Sequence, residues 1–339
     1  MDAVIRRESS STTSNLKPHD VLWFFDGNVV LATDSMLFKV HKGVLSFQSS
    51  VFKDLFEFPT IDGSCGEAGA YGGISPELYE GVHLVTLAGD KGTDVEHLLR
   101  AAYERQYYYR DDNDISIEVF TALLCLSTKY DFKHIRSDLI KQMAKSIPLD
   151  QSTYELACNS GGKIFNMDRN VSNHPFTLLQ VVLETDVDVF LPILYYACCS
   201  FYMDVILAET RSLARGYLDT LLIGKEKLDN RMNELIARLP DILHDNIGNT
   251  GCLRIVKCLS TSRFSNLFNV MNLSDLNFIE GSRMVTRIVS GSAGLCDRCR
   301  TFIVNAINEE RRRIWAAIPS FFGLPGWYVH RTRLEELLS

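Results

Sequence analysis

The sequence lacks a concentrated basic segment. Its 339 residues include 35 Lys and Arg against 42 Asp and Glu, which gives a formal net charge of −7. The densest basic run, residues 311–313, directly follows Glu309 and Glu310. Domains that bind nucleic acid through its phosphates usually present a concentrated basic face. The charge pattern therefore argues against nucleic acid as a partner.

An apolar run long enough to cross a bilayer is also missing. The best candidate, residues 189–203, lies between Asp188 and Asp204 and holds Pro192 near its start. It is shorter than the roughly 20 residues that a spanning helix needs. We therefore expect a buried core helix here and no membrane partner.

A secretory signal is not visible either. Residues 1–16 contain no apolar core and include a Ser/Thr run, so we expect a disordered tail. Nine cysteines without such a signal indicate a reducing compartment, with free thiols or metal ligands in place of disulfides. The expected location is intracellular, either cytoplasmic or nuclear.

Motifs for catalysis are incomplete. The segment "SGSAG", residues 290–294, has Ser290 where a nucleophile elbow needs Gly. The segment "NSGGKIF", residues 159–165, carries Ile164 where a phosphate loop needs a hydroxyl to hold magnesium. Both segments are predicted to be turns, and we predict no enzymatic activity, no catalytic residue and no cofactor-binding residue. A Cys–His dyad, and with it a cysteine-dependent enzyme, stays open as an alternative because the chain has nine Cys and eight His.

What the chain does have is enough apolar sequence for a sizeable core. Hydrophobic residues make up 46% of it and charged residues 23%, and its length exceeds that of one compact domain. Two apolar runs, residues 21–25 and 29–33, surround Asp26-Gly27, which is a strong hairpin signal. No repeat of about 20–50 residues stands out, which argues against propellers and regular solenoids.

The patterns predict an α+β fold with two regions. Residues 17–148 combine strand and helix signals, interrupted by a long acidic, Gly-rich insert at about residues 57–80. Beyond Pro148 the strand signals fade, and residues 149–339 read as mostly helical.

The stretch "FKVHKGVLSFQSSVFKDLF", residues 38–56, predicts two short helices separated at Gln-Ser-Ser. Ser50 is a good N-cap for the second helix. His41 heads the first helix, where it could be a catalytic base or a structural residue. The first N–H groups of a helix need partners, which favours the structural role.

These segments resemble a BTB/POZ domain. The resemblance covers roughly residues 17–148 and rests on "HDVLWFFDGNVVLA", the stretch just described, "HLVTLAG", "DVEHLLRAAYE" and "ALLCLSTKYDFKHIRSDLIKQM". The second half is similar to the C-terminal region of the BTB proteins abundant in mushroom-forming fungi. That similarity rests on "LPILYYACC", "GKEKL", "GLCDRC" and "RRRIWAAIPSFFGLPGW".

The resemblance implies a short sheet with clustered helical hairpins, followed by the helical region. It also implies a non-enzymatic protein–protein interaction protein that forms a homodimer or docks unidentified protein partners, with His41 in a structural role. The implied interaction residues are Asp20, Phe38, His41, Lys42, Val44 and Phe47. A substrate adaptor of a cullin-type ubiquitin ligase is the alternative. However, "RQYYYRDDND" stands where many family members have the edge strand near which cullins dock.

Two cysteine pairs form a candidate metal site. Cys252 with Cys258, and Cys296 with Cys299, could supply four thiolates to a tetrahedral structural zinc. The spacing within the first pair and the interval between the pairs are wider than is usual for zinc sites. Ordinary buried thiols are the alternative.

The last feature is a cluster of large aromatic residues near the C-terminal end. Core packing is favoured over a ligand groove, since Trp and Phe mostly bury. The cluster comprises Trp315, Phe321, Phe322 and Trp327.

Overall fold

A computed structural model describes residues 16–57, 77–109, 115–157, 165, 172–245, 252 and 296–339. The chain is mixed α and β, with a small sheet followed by a mostly helical region, in agreement with the α+β prediction. It divides into two compact units, Met1–Leu139 and Ile140–Ser339. The division falls somewhat before the predicted boundary at Pro148 and lies within a helix.

The first unit contains a five-stranded sheet. Its strands, in chain order, are β1 (Lys17–Trp23), β2 (Val29–Ala32), β3 (Met36–Val40), β4 (Leu78–Tyr79) and β5 (Val82–Thr86). In the sheet they are arranged as β1-β3-β2-β5-β4. The pairs β2–β3 and β4–β5 are antiparallel, whereas β1–β3 and β2–β5 are parallel.

The hairpin predicted across Asp26-Gly27 is wrong. That turn connects β1 to β2, but β3 lies between these two strands and pairs with both. A Cβ at Gly27 would lie 2.8 Å from the Cγ of Lys39 on β3. The glycine is therefore needed where the third strand passes close to the turn.

Five helices surround or follow this sheet: α1 (Lys42–Gln48), α2 (Ser50–Glu57), α3 (Gly92–Tyr103), α4 (Ile117–Lys129) and α5 (Lys133–Ser146). The predicted pair of short helices is confirmed as α1 and α2. The cap of α2 is Ser49, not Ser50. The Ser49 hydroxyl accepts a bond from the Phe52 N–H at 3.0 Å and donates to the Tyr130 carbonyl at 2.5 Å. One buried hydroxyl thus ties the start of α2 to the end of α4.

The first unit has an apolar core that includes the central strands of the sheet. All four residues of β2 are buried. Val30, Ala32, Leu37 and Leu84, from three adjacent strands, form one cluster. Phe120 on α4 is also completely buried. The central strands are therefore covered on both faces, as their continuous apolar sequence requires.

The second unit is helical in its described residues. Its helices are α6 (Gln151–Ala157), α7 (His174–Glu184), α8 (Leu191–Cys199), α9 (Met203–Glu209), α10 (Arg215–Asp245), α11 (Asp297–Phe321) and α12 (Trp327–Leu338), with a 3-10 turn at Asp188–Phe190. Every residue of α8 is buried, which confirms the predicted core helix. Among the described helices, none is both long enough and apolar enough to cross a membrane.

The C-terminal aromatic cluster packs inside this unit. The rings of Trp315 and Trp327 stack with centroids 5.1 Å apart, and the Trp327 indole N–H donates to the Trp315 carbonyl at 2.7 Å. Phe322 stacks on Tyr195 of α8 at 5.1 Å. Core packing is confirmed for these residues, while Phe321 is only partly buried.

The basic run at residues 311–313 is neutralised within the second unit. Each of its guanidinium groups pairs with a carboxylate. The pairs are Arg311 with Glu155 at 2.8 Å, Arg312 with Glu309, and Arg313 with Glu310 at 2.5 Å. Arg311 is also almost completely buried. The run therefore does not form a free basic surface, and only Arg311 forms a buried ion pair.

Candidate functional site

His41 lies where the β1–β2 turn, the start of α1 and the end of α3 meet. Its Nε2 is 3.2 Å from Asp26 Oδ1, and its Nδ1 is 3.3 Å from the Tyr103 hydroxyl. That hydroxyl also accepts the backbone N–H of His41 at 2.9 Å. Phe24 packs against both rings, with centroid distances of 5.1 Å to His41 and 5.0 Å to Tyr103. His41 therefore links three elements.

The expected helix-start bond from the His41 side chain is not formed, although His41 is the N-cap residue of α1. Asn28 makes the bond in its place, since the Lys42 N–H donates to Asn28 Oδ1 at 2.8 Å. Asn28 was not among the residues predicted from the sequence. Its position directly after Asp26-Gly27 was a usable signal, because Asn side chains often bond to nearby backbone in turns.

The electrostatics of this group favour a structural role. The hydrogen bond from His41 holds the pKa of Asp26 below its usual value of 3.8. Burial raises the pKa of the Tyr103 hydroxyl. A phenol that stays protonated and already accepts a backbone bond is a poor nucleophile. The trio of Asp26, His41 and Tyr103 therefore holds three elements together, and its phenol is not activated as a nucleophile.

The structure separates the predicted interaction residues into different environments. Phe38 is completely buried and stacks on His19 at 5.3 Å. It belongs to the core, so its assignment as a contact residue is corrected. Asp20 is exposed, whereas Lys42 and Val44 are partly buried. The Lys42 ammonium lies over the Phe56 ring at 5.5 Å.

Phe47 is different, because 89% of it is exposed. On the β1 strand and in the turn that follows it, two further apolar residues are exposed, Val21 to 64% and Phe25 to 94%. We call Val21, Phe25 and Phe47 the exposed apolar set. Val21 and Phe25 were not among the interaction residues predicted from the sequence. For Val21 the signal was the run "VLWFF", because alternate residues of a strand point to opposite faces and cannot all be buried in one core. Phe25 lies beyond β1, in the turn that contains Asp26.

The edge of β1 is poorly suited to pairing with another strand. The His19 Nδ1 accepts bonds from the N–H groups of Val21 at 3.2 Å and Leu22 at 3.0 Å. Pro18 has no N–H to donate. Blocked donors and proline are known devices against edge-to-edge pairing. A partner at this end of the unit would therefore contact side chains more than backbone.

The second candidate site is a group of thiols. The Sγ atoms of Cys252, Cys296 and Cys299 all lie within 4.8 Å of one another, and those of Cys252 and Cys296 are 3.5 Å apart. Cys296 is the N-cap of α11, and Cys299 lies buried in its first turn. Three of the four predicted ligands are thus brought together. The fourth, Cys258, lies outside the described residues.

Two further cysteines lie within α8. Cys198 and Cys199 are both buried, and burial raises the pKa of each thiol. A nucleophilic cysteine needs the thiolate form. These two thiols therefore suit core packing better than catalysis.

No family model, curated protein or solved structure matches the chain.

Proposed function

We propose that this chain is a non-enzymatic protein–protein interaction protein whose first unit, a BTB/POZ-like domain, associates with a second copy through the exposed apolar set. The observation that carries this proposal is the solvent exposure of Phe47. Phe47 lies on a seven-residue helix in which Leu45 is buried, yet it directs an aromatic ring to solvent. Single exposed apolar residues are common on protein surfaces. Here, however, the three residues of the exposed apolar set lie on β1, on the turn after it and on α1, and these elements are joined to one another.

The joining contacts give the set its structural basis. Phe25 lies in the turn between β1 and β2, and Asn28 of the same turn bonds to the first N–H of α1 at 2.8 Å. The Lys39 ammonium donates to the Phe25 carbonyl at 3.0 Å, which fixes the turn from the β3 side. The backbone that carries Phe25 is thus held beside the start of the helix that carries Phe47. Such prior ordering lowers the entropic cost of binding.

The energetics indicate a weak dimer. An aromatic side chain that buries ~150 Å² contributes ~4 kcal/mol at about 25 cal/mol per Å². A two-fold dimer would bury two copies of Phe47. Association costs of ~4–15 kcal/mol offset most of that gain. Phe47 alone is therefore insufficient, and Val21 and Phe25 would have to contribute.

The chemistry of the remaining groups supports a role other than catalysis. His41 is engaged by a carboxylate and a protonated phenol. Burial raises the pKa of both α8 thiols, which disfavours the thiolate that a cysteine nucleophile needs. These observations argue against the cysteine-dependent enzyme at α8.

The test is sedimentation velocity of the full chain at ~10–100 µM, a range suited to weak association. The wild type should sediment as a dimer. Phe47→Ser should weaken the dimer by about 30-fold or more, the effect of losing a hot-spot residue worth ~2 kcal/mol. The matched control is Leu78→Ser, an equally drastic change at a residue 59% exposed on β4, the opposite edge strand of the sheet.

The control variant should dimerise like the wild type, and both variants should keep their melting temperature because exposed substitutions change stability little. A monomeric wild type, or equal dimerisation by Phe47→Ser, would contradict the proposal. Recovery of a cullin by affinity capture with a monomeric wild type would favour the substrate-adaptor alternative.

A further inference from the structure

The distances among Cys252, Cys296 and Cys299 suit a tetrahedral metal. Zinc–sulfur bonds of about 2.3 Å at tetrahedral angles place the sulfur atoms about 3.8 Å apart. The observed Sγ separation is 3.5 Å for Cys252 and Cys296, and the group of three stays within 4.8 Å. None of the three forms a disulfide with a described residue. Ligand atoms at these distances need only small side-chain adjustments to enclose an ion.

The helix that carries two of these thiols favours negative charge at their position. Cys296 is the N-cap of α11, and its side chain makes no capping bond to the helix. Cys299 lies three residues further on, in the first turn, and is almost completely buried. The first N–H groups of a helix and its dipole stabilise anions within this turn. Thiolates are therefore better tolerated here than in an apolar helix.

The thiols of α8 provide an internal comparison. Cys198 and Cys199 are adjacent in the chain, buried within a helix whose residues are all buried, and part of no described group of three ligands. By contrast, Cys252 and Cys296 are partly exposed and separated by 44 positions, yet their sulfur atoms converge. Core packing alone explains the first pair but gives no reason for three sulfur atoms to meet.

We propose that Cys252, Cys296 and Cys299 bind a zinc ion that ties residue 252 to the start of α11. Thiolate sulfur selects zinc over the hard cations magnesium and calcium. Each ligating thiol loses its proton when the metal binds. The metal would close the long chain segment between Cys252 and Cys296, and so restrict the unfolded state as other cross-links do.

The first experiment is elemental analysis of the full chain purified under reducing conditions with zinc present. The wild type should carry about one zinc per chain. Cys252→Ser, Cys296→Ser and Cys299→Ser should each lose the metal. The control is Cys125→Ser, which changes a partly exposed thiol on α4 and should keep the full zinc content. Metal-free wild type, or full zinc content in Cys252→Ser and Cys296→Ser, would overturn the proposal.

A second measurement needs no substitution and so does not depend on variant folding. The full chain is alkylated with iodoacetamide before and after a chelator removes the metal, and the modified peptides are quantified. Zinc should slow the alkylation of Cys252 and Cys296 at least tenfold, while Cys125 should react at the same rate in both samples. Equal rates at Cys252 and Cys296 with and without zinc would refute the site. Bound copper or iron in place of zinc would refute the metal assignment.

Discussion

Replacing Gly224 by alanine should destabilise the second unit, against the usual behaviour of glycine in helices. Gly224 lies within α10, and a Cβ there would lie 2.0 Å from Cδ1 and 2.2 Å from Cε1 of Phe322. Carbon atoms pack favourably at about 3.5–4.0 Å. The ring would therefore have to move by more than an ångström, although it is buried and stacked on Tyr195.

Two opposing effects determine how much Gly224→Ala changes the free energy of unfolding. An added methyl group in a packed core costs ~1–3 kcal/mol when neighbours must shift. Alanine in place of glycine within a helix stabilises the folded state by about 0.5–1 kcal/mol. Gly224→Ala should thus lower the free energy of unfolding by ~1–2 kcal/mol. Gly216→Ala, in the same helix with nothing within 4 Å of its Cβ, should be neutral or stabilising by up to ~1 kcal/mol.

Urea unfolding followed by tryptophan fluorescence would measure this difference, because the stacked Trp315 and Trp327 report on the second unit. In a Gly224→Ala, Phe322→Ala double variant, the added methyl group should cost less than it does beside the intact ring, since the clash is gone. A Gly224→Ala protein as stable as Gly216→Ala would show that α10 and the Phe322 ring do not pack as described.

Two polar contacts, those of Arg311 and His41, can be tested by urea unfolding, with Arg312→Ala as the control for Arg311→Ala. Arg311→Ala should lower the free energy of unfolding by ~3–5 kcal/mol, because it leaves the Glu155 carboxylate without its buried guanidinium partner. Arg312→Ala removes an exposed ion pair and should leave the free energy of unfolding within about 0.5 kcal/mol of the wild type. Equal effects of the two substitutions would contradict the burial of Arg311. His41→Ala should cost ~1 kcal/mol through the lost bonds to Asp26 and α3. The pKa of Asp26 is lowered in the folded state, so the contribution of the Asp26–His41 contact to stability is complete above pH 3.8 and is lost as the pH falls through the folded-state pKa. The difference in unfolding free energy between His41→Ala and the wild type should therefore narrow in acid. A difference that does not change with pH would show that Asp26 and His41 do not interact as described.

Local patterns predicted several elements of the fold correctly. Helical periodicity placed α1 and α2, and the apolar run at residues 189–203 predicted the buried α8. The aromatic cluster was predicted to be core because large rings rarely remain exposed. In each case the signal lies within a few neighbouring residues, which is why sequence alone was sufficient.

Contacts between distant residues were not predictable in the same way. The order of β1, β3 and β2 depends on pairing that no turn motif specifies, and the Asp26-Gly27 signal pointed to the wrong partner. Arg311 stands in a charged run typical of a solvated helix face, yet Glu155, 156 positions earlier, pairs with it in the interior. The core position of Phe38 likewise follows from the sheet and not from its own sequence.

The candidate thiol site combines a local signal that could be read from the sequence with a long-range contact that could not. The close spacing of Cys296 and Cys299 was a local signal for metal ligands. That Cys252 joins them is a result of folding over 44 positions, which the spacing rules did not favour.

The most direct test of self-association through the exposed apolar set is a photo-reactive phenylalanine analogue placed at position 47. The full chain is prepared in light and heavy isotopic forms, mixed, irradiated and digested, so that cross-links between copies join one light and one heavy peptide. We predict mixed light–heavy pairs that join position 47 to peptides from β1, the following turn or α1. Cross-links confined to single copies, or mixed pairs that reach only the second unit, would contradict the proposed interface.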